Sequence, residues 1–232
     1  MTIYYATATN NLYLIASYGT NSLGGAIFSG KPDPTLPPPQ LYREYRSGSV
    51  DEVFYQFASD SRPYNPEFSV IVVSSDNRSN TSRGKIYKST RYGNDIGGWT
   101  EVYSTNVGDL QGCAYGNNVW IAVGENNLVV RSTNGTSWSV VQGAVPNGVW
   151  KWMTFGGGRF VAVGYKTVPD PADPVNTTIE QGIVMYSDND GVTWTQAESG
   201  SARRLQSVAY SPELNKFVAV GRFGTIIAVD GK

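Results

Sequence analysis

The sequence predicts an all-β fold, a β-propeller of five four-stranded repeats whose last repeat is incomplete. Three observations lead there. The pentapeptide Phe-Val-Ala-Val-Gly stands at 160–164 and again at 217–221. A turn of Ser, spaced Asn or Asp, Gly and Trp follows an apolar run at 132–138 and again at 187–194. The composition, 12% aromatic and only 16% charged with 26 glycines, suits short strands joined by many turns. A β-sandwich would account for strands, but not for a pentapeptide and a turn that return in the same order.

Taken in order, the third repeat reads Cys113-Ala114-Tyr115, a Gly116-Asn117-Asn118 turn, then Val119 to Gly124. The fourth reads Met153-Thr154-Phe155, Gly156-Gly157-Gly158, then Arg159 to Gly164. The fifth reads Val208-Ala209-Tyr210, a turn at 211–215, then Lys216 to Gly221. Looser copies open the chain, around Tyr5 to Ser17 and around Val53 to Val73. Third strands are expected at 25–29, 85–89, 128–132, 183–187 and 225–229, and fourth strands at 41–45, 99–103, 138–141 and 194–197. Second strands that are apolar throughout suit positions buried on both faces. The expected organisation is one domain, 1–232, with repeats at about 1–46, 50–104, 108–142, 149–198 and 204–232. The fifth repeat stops before a fourth strand. It has three strands, or the chain is a fragment, or a partner adds the missing strand at the open edge.

The turn has a mechanism: Asn and Asp side chains fold back onto the backbone, glycine takes the positive φ, and tryptophan pins the following strand. The residues are Ser187, Asn189, Gly191, Thr193 and Trp194, then Ser132, Asn134, Gly135 and Trp138, with a broken copy at Asp230 and Gly231. At these residues the chain resembles the Asp-box, or BNR-repeat, sialidase-like β-propellers, a group that includes non-catalytic members. A degenerate version begins at Ser89 and leads to Trp99. The resemblance implies architecture, because in that family the boxes lie on the face opposite the active site. Sialidase chemistry in that family further implies three arginines, a tyrosine nucleophile with a carboxylate partner, and an early Arg-Ile-Pro signature. The nearest match is Arg62-Pro63, inside a turn.

The totals exclude several classes. A net charge of −1 with no basic run argues against nucleic acid. The absence of histidine removes the usual general base and most zinc sites. The lone Cys113 reads as a small buried apolar residue. The N-terminus lacks the basic and apolar regions of a secretory signal, and no apolar run approaches the roughly 20 residues of a membrane span. Synthesis in the cytoplasm, no membrane insertion and no cofactor are expected.

Departures from the repeat carry the functional candidates. Insertions at 165–178 and 74–82 read as loops on one face, where binding residues gather, or as tolerated surface insertions. They bring Tyr165, Asp170, Asp173 and Arg78. Calcium at Asp170 and Asp173, or at Asp188 and Asp190, would need six or more converging oxygens, and the turn already explains the second pair. The alternation Trp150-Lys151-Trp152 puts both rings on one face, for sugar stacking or for packing between repeats. Arg203 and Arg204 precede the fifth repeat and suit an acidic ligand or a solvated pair. A proline-rich run at 31–39 is stiff and cannot join a ladder.

The expected function is a non-enzymatic recognition scaffold that displays loops to a protein partner, a like subunit or a glycan. Few charges and Tyr-, Asn-, Thr- and Gly-rich β-structure resemble bacteriophage tail, fibre or decoration proteins, which implies a virion component. The alternatives are a lectin-like module, an assembly factor, and a glycosidase with two facing carboxylates.

Overall fold

A computed structural model describes residues 4–5, 12–13, 26–30, 41–46, 52–60, 68–76, 83–92, 95–96 and 98–232. They are all-β apart from one 3-10 turn at Arg222–Gly224, and every ladder is antiparallel. The chain divides into two compact units, Met1–Asp109 and Leu110–Lys232.

The first unit contains the pair β1 (Tyr4–Tyr5) and β2 (Leu12–Tyr13), and the pair β3 (Ala26–Gly30) and β4 (Leu41–Arg46). A larger sheet comprises β5 (Glu52–Ser59), β6 (Phe68–Asp76), β7 (Gly84–Tyr92), β8 (Asp95–Ile96) and β9 (Thr100–Thr105). Phe54 and Phe57 are three apart, so strict alternation would send them to opposite faces. A bulge between them brings both into one core with Ile27, Val70, Val72, Tyr87 and Trp99. Arg78, Arg62 and the proline run at 31–39 lie outside the described residues.

The second unit holds three consecutive meander sheets. The first is β10 (Leu110–Gly116), β11 (Val119–Gly124), β12 (Leu128–Ser132) and β13 (Ser139–Gln142). The second is β14 (Val149–Gly156), β15 (Arg159–Asp170), β16 (Asp173–Ser187) and β17 (Thr195–Ala197). The third has β18 (Leu205–Ser211), β19 (Lys216–Gly221) and β20 (Ile226–Asp230), with β20 as its edge among the described residues.

Face-to-face stacking explains the repeated pentapeptide. Phe160 and Ala162 on β15 join Ile121, Val123 and Val129 of the preceding sheet in one core. Val161 and Val163 point the other way, to Leu205, Val208, Phe217 and Ala219 of the next sheet. An apolar residue is therefore needed at every position of the strand. The aromatics flanking each hairpin pair within their sheet, Tyr115–Trp120, Phe155–Phe160 and Tyr210–Phe217, at 4.5, 4.6 and 4.8 Å between ring centroids. Between sheets, a Cβ on Gly116 would fall 2.2 Å from Phe155, and one on Gly156 would fall 2.2 Å from Tyr210. Each glycine is the flat spot on which the next sheet's aromatic lies.

A bulge also recurs at the start of each first strand, between Leu110 and Gly112, Trp150 and Trp152, and Leu205 and Ser207. It overturns the expectation that Trp150 and Trp152 share a face. The extra residue reverses the alternation, so Trp150 is 0% exposed in one core and Trp152 packs against the other.

Trp150 also anchors a polar contact. Its Nε1 and the Val145 amide both donate to Asn127 Oδ1, each at 3.3 Å. Asn127 is 8% exposed with φ 59°, the left-handed region that Asn tolerates. Asn127→Ala removes a buried acceptor and puts in the left-handed region a residue that lacks the Asn side chain's tolerance of it, so urea unfolding should show a loss of about 2–4 kcal/mol. Asn127→Asp should retain most of the stability. A loss below about 1 kcal/mol for the alanine variant would mean that the indole finds another acceptor.

Candidate functional site

The two ends of β16 have different roles. At its C-terminal end, Ser187 Oγ accepts from the Gly191 amide at 2.9 Å, and Asn189 Oδ1 accepts from the Thr193 amide at 2.9 Å. In the preceding sheet Ser132 Oγ accepts from Gly135 at 2.8 Å, and Asn134 Oδ1 accepts from Thr136 and Ser137 at 2.9 and 2.8 Å. Gly135 and Gly191 have φ 69° and 77°. The later turn is fastened to the preceding sheet: Asn117 Nδ2 donates to Asp190 Oδ1 at 2.9 Å, and Arg131 Nε donates to the Asp190 carbonyl at 2.7 Å. Trp194 packs against the same core.

Asp188 is engaged as well. Arg159 binds both its carboxylate oxygens, at 2.7 and 2.9 Å, and holds its pKa below the usual range. The third copy is out of register. Ser132 pairs with Trp120 and Ser187 with Phe160, whereas Val229 pairs with Phe217, so Asp230 and Gly231 follow a valine where the others have serine. Asp230 instead forms an ion pair with Lys216.

The N-terminal end of β16 belongs to an arm. The segment expected as a loop at 165–178 continues β15 and β16 in register from Lys166 opposite Gln181 to Pro169 opposite Thr178, and after a register shift Asp170 stands opposite Asp173. Ladder pairing overrides the turn signal of three prolines, because both strands extend an existing hairpin. Asp170 caps the tip, its Oδ1 accepting from the Ala172 amide at 2.9 Å. Among the described residues no three His, Cys, Asp or Glu side chains converge as metal ligands.

One face of the arm's base gathers charged groups. Tyr165 pairs with Gly182 and Thr167 with Glu180, so Tyr165 and Glu180 share this face. Glu180 Oε1 accepts from Arg204 Nη1 and Oε2 from Arg222 Nη1, both at 3.4 Å. The Arg204 guanidinium lies 5.6 Å from the Tyr165 ring centroid, and that of Arg203 lies 5.1 Å from Phe223. Phe223 is 83% exposed with φ 57°, an uncommon backbone for an aromatic residue. The loop before β18 is stitched in place: Ser199 Oγ donates to the Gly182 carbonyl at 2.6 Å, and Ser201 Oγ to the Arg203 carbonyl at 2.7 Å. A Cβ on Gly182 would fall 2.6 Å from that carbonyl. The Arg222 amide donates to the Arg204 carbonyl at 3.1 Å, which ties the two arginine backbones together.

A second feature lies at the edge that β16 exposes beyond the end of β17. A cavity of about 340 Å³ is lined by Lys166, Gln181, Gln196, Glu198, Ser199 and Ser201, among others. Among the described residues no hydrogen bond or ion pair engages the side chains of Lys166, Gln181, Gln196 or Glu198.

Of the candidates expected from sequence, the structure brings Tyr165 and Arg204 together and sets Arg203 over the ring of Phe223. It places Asp170 and Asp173 at the arm's tip, and it assigns Trp150 and Trp152 to packing. Glu180, Arg222, Phe223 and the cavity residues were missed. The signal for Arg222 and Phe223 was the connection following the pentapeptide, which is equivalent in the sheet order to the arm.

No protein family and no curated protein matches the chain. Among solved structures it is similar to the GH93 alpha-L-arabinofuranosidase of Fusarium graminearum, at TM-score 0.50 and 12% identity over 90% of this chain and 75% of that one. It also matches a putative glycoside hydrolase from Bacteroides ovatus at TM-score 0.44 and 8% identity, over 94% of this chain and 86% of that one. A computationally designed protein, Ika4, matches at TM-score 0.46 and 12% identity, over 77% of this chain and 91% of that one. The arabinofuranosidase likeness concerns the fold. It lends no support to the expectation that the chain lacks catalysis.

Burial raises the Tyr165 pKa above its usual value of 10.0, and Glu180 raises it further against the opposing pull of Arg204. Spectrophotometric titration should place this phenol later than the exposed tyrosines. Glu180→Gln should bring it part of the way back, because burial remains. An unchanged titration would show that Glu180 does not face the phenol.

Proposed function

We propose that the chain is a carbohydrate-recognition module built from propeller-like sheets, with the cavity beside the β15–β16 arm as its sugar site. The observation that carries this reading is the cavity's lining. Lys166 and Glu198 cancel in charge, and Gln181 and Gln196 each offer a donor and an acceptor with no partner among the described residues. A neutral ligand dense in hydroxyl groups matches such a lining. About 340 Å³ lies within the roughly 300–1,000 Å³ range of small-ligand sites. Binding is favoured over hydrolysis, since glycosidases use two carboxyl groups across the scissile bond and Glu198 is the single acid among the lining residues.

The five-unit propeller is part of the same proposal. It is supported by the successive meander sheets with their repeated bulge, aromatic pair and glycine contact, and by the likeness in fold to the arabinofuranosidase. The hydrogen bonding of the turns at Ser132 and Ser187 supports their reading as Asp-boxes. The virion expectation rests on composition alone, and carbohydrate recognition does not depend on it.

The edge that β20 forms among the described residues favours a second reading alongside the first, in which a protein partner or like subunit adds a strand there. Amides facing outward on Ile226–Asp230 should then exchange slowly in an assembled state and quickly in a monomer. Equal exchange at all concentrations, with a monomeric mass, would remove that reading.

For the cavity, a monosaccharide panel followed by calorimetry should find a neutral sugar whose affinity falls about tenfold in Gln181→Ala, the loss expected from an abandoned hydrogen bond. Gln196→Ala should act alike, and Asp170→Ala at the arm's tip should bind normally. Failure of every neutral sugar to bind would overturn the reading. Turnover of aryl glycosides, abolished by Glu198→Gln, would replace it with an enzyme.

A further inference from the structure

We propose that Arg204 and Arg222, with Arg203 beside them, form a second subsite that takes a tetrahedral oxyanion group, a phosphate or sulfate ester, carried on the glycan. The inference deepens the carbohydrate reading and rests on it for the sugar portion. The anion chemistry is argued from the arginine cluster itself.

Two guanidinium groups, those of Arg204 and Arg222, share one carboxylate, Glu180, on this face of the arm, while Arg203 lies over the ring of Phe223 and has no acidic partner among the described residues. Glu180 is a weak partner to both arginines. It reaches each through one Nη1 contact of 3.4 Å, beyond the roughly 2.7–2.9 Å of a well-made charge-assisted bond. The Arg204 side chain is only 18% exposed, yet its Nε–H is buried with no acceptor among the described residues. A buried guanidinium donor left unpaired is costly, and an oxyanion that draws the Arg204 side chain outward would relieve that cost. Arg222 is 48% exposed, so part of its donor fork is open to a ligand.

The cluster is also rigidly presented. The Arg222 amide binds the Arg204 carbonyl, Arg203 rests on the ring of Phe223, and Phe223 holds the left-handed conformation that turns its connection. The uncompensated charge selects the ligand class. A carboxylate would neutralise one charge through two coplanar oxygens. A tetrahedral group with three free oxygens can accept from Arg204 Nε and from the forks of both arginines. In this arrangement Glu180 is a placeholder: it holds the Arg204 and Arg222 side chains when the site is empty and gives way when the anion enters.

The test uses the full chain at low ionic strength. Binding of sodium phosphate and sodium sulfate is measured by calorimetry, with sodium chloride at matched ionic strength as the control. Saturable binding is expected for a tetrahedral anion and not for chloride. Arg222→Gln, at a half-exposed position, should fold normally and weaken binding about tenfold or more. Arg204→Gln should act in the same direction, and Glu180→Gln should tighten binding by removing the competing carboxylate. Glucose 6-phosphate against glucose 6-sulfate then separates the two ester sources. No saturable binding, an equal response to chloride, full affinity in Arg222→Gln, or weaker binding in Glu180→Gln would each overturn the proposal, as would glucuronate binding where both tetrahedral anions fail. Anion binding without neutral-sugar binding would sink only the cavity reading. The converse would sink this one.

Discussion

The second unit depends on one contact made twice, an aromatic ring lying on a glycine of the preceding sheet. Phe155 covers Gly116 and Tyr210 covers Gly156 so closely that no Cβ fits between them. That contact sets the separation of neighbouring sheets. The separation in turn fixes which strands are enclosed on both sides, and β15 is enclosed completely along Phe160 to Gly164. A rigid stack results, with cores on both faces of the middle sheet. Close packing of this kind resists adjustment, so a change of one methylene is felt across two sheets.

Rigidity at one end of β16 permits reach at the other. The turn at Ser187 satisfies its own amides and is fastened to Asn117 and Arg131, so the strand is held from below. The same strand can then run past its neighbours and, with β15, project as an arm. Side chains on the arm alternate between two faces, and alternation separates two chemistries. Tyr165 and Glu180 meet arginines on one side, while Lys166 and Gln181 line a neutral polar cavity. A two-residue periodicity divides a guanidinium–carboxylate cluster from a neutral polar cavity within one hairpin.

The site depends on loops that are stitched by hydroxyl groups. Ser199 and Ser201 bind carbonyl groups of Gly182 and Arg203, which carries the order of the stack into the segment that presents the arginines. The strained conformation of Phe223 is held by the neighbouring backbone bonds of Arg222 and Thr225. Strain that persists in a stable scaffold points to presentation of a side chain, and here an exposed ring and a stacked guanidinium are presented together.

The sequence by itself determined the class of structure and most strand positions in residues 110–232. Turn chemistry and an all-apolar strand are local signals, and each copy of the repeat strengthened the next. It also marked Tyr165, Arg203 and Arg204, because departures from a repeat are visible without coordinates. It put the rings of Trp150 and Trp152 on one face and was overturned, since a bulge is a ladder irregularity defined by a strand that lies elsewhere in the chain. It misread 165–178 as a loop, because proline and aspartate give the same local signal in a free loop and at the tip of a hairpin. Only the tertiary structure decided that Glu180 and Arg222, 42 residues apart, share a carboxylate–guanidinium contact, and that Lys166, Gln196 and Glu198 line one cavity. Those relations arise from pairing and stacking at long range, and no window of sequence contains them.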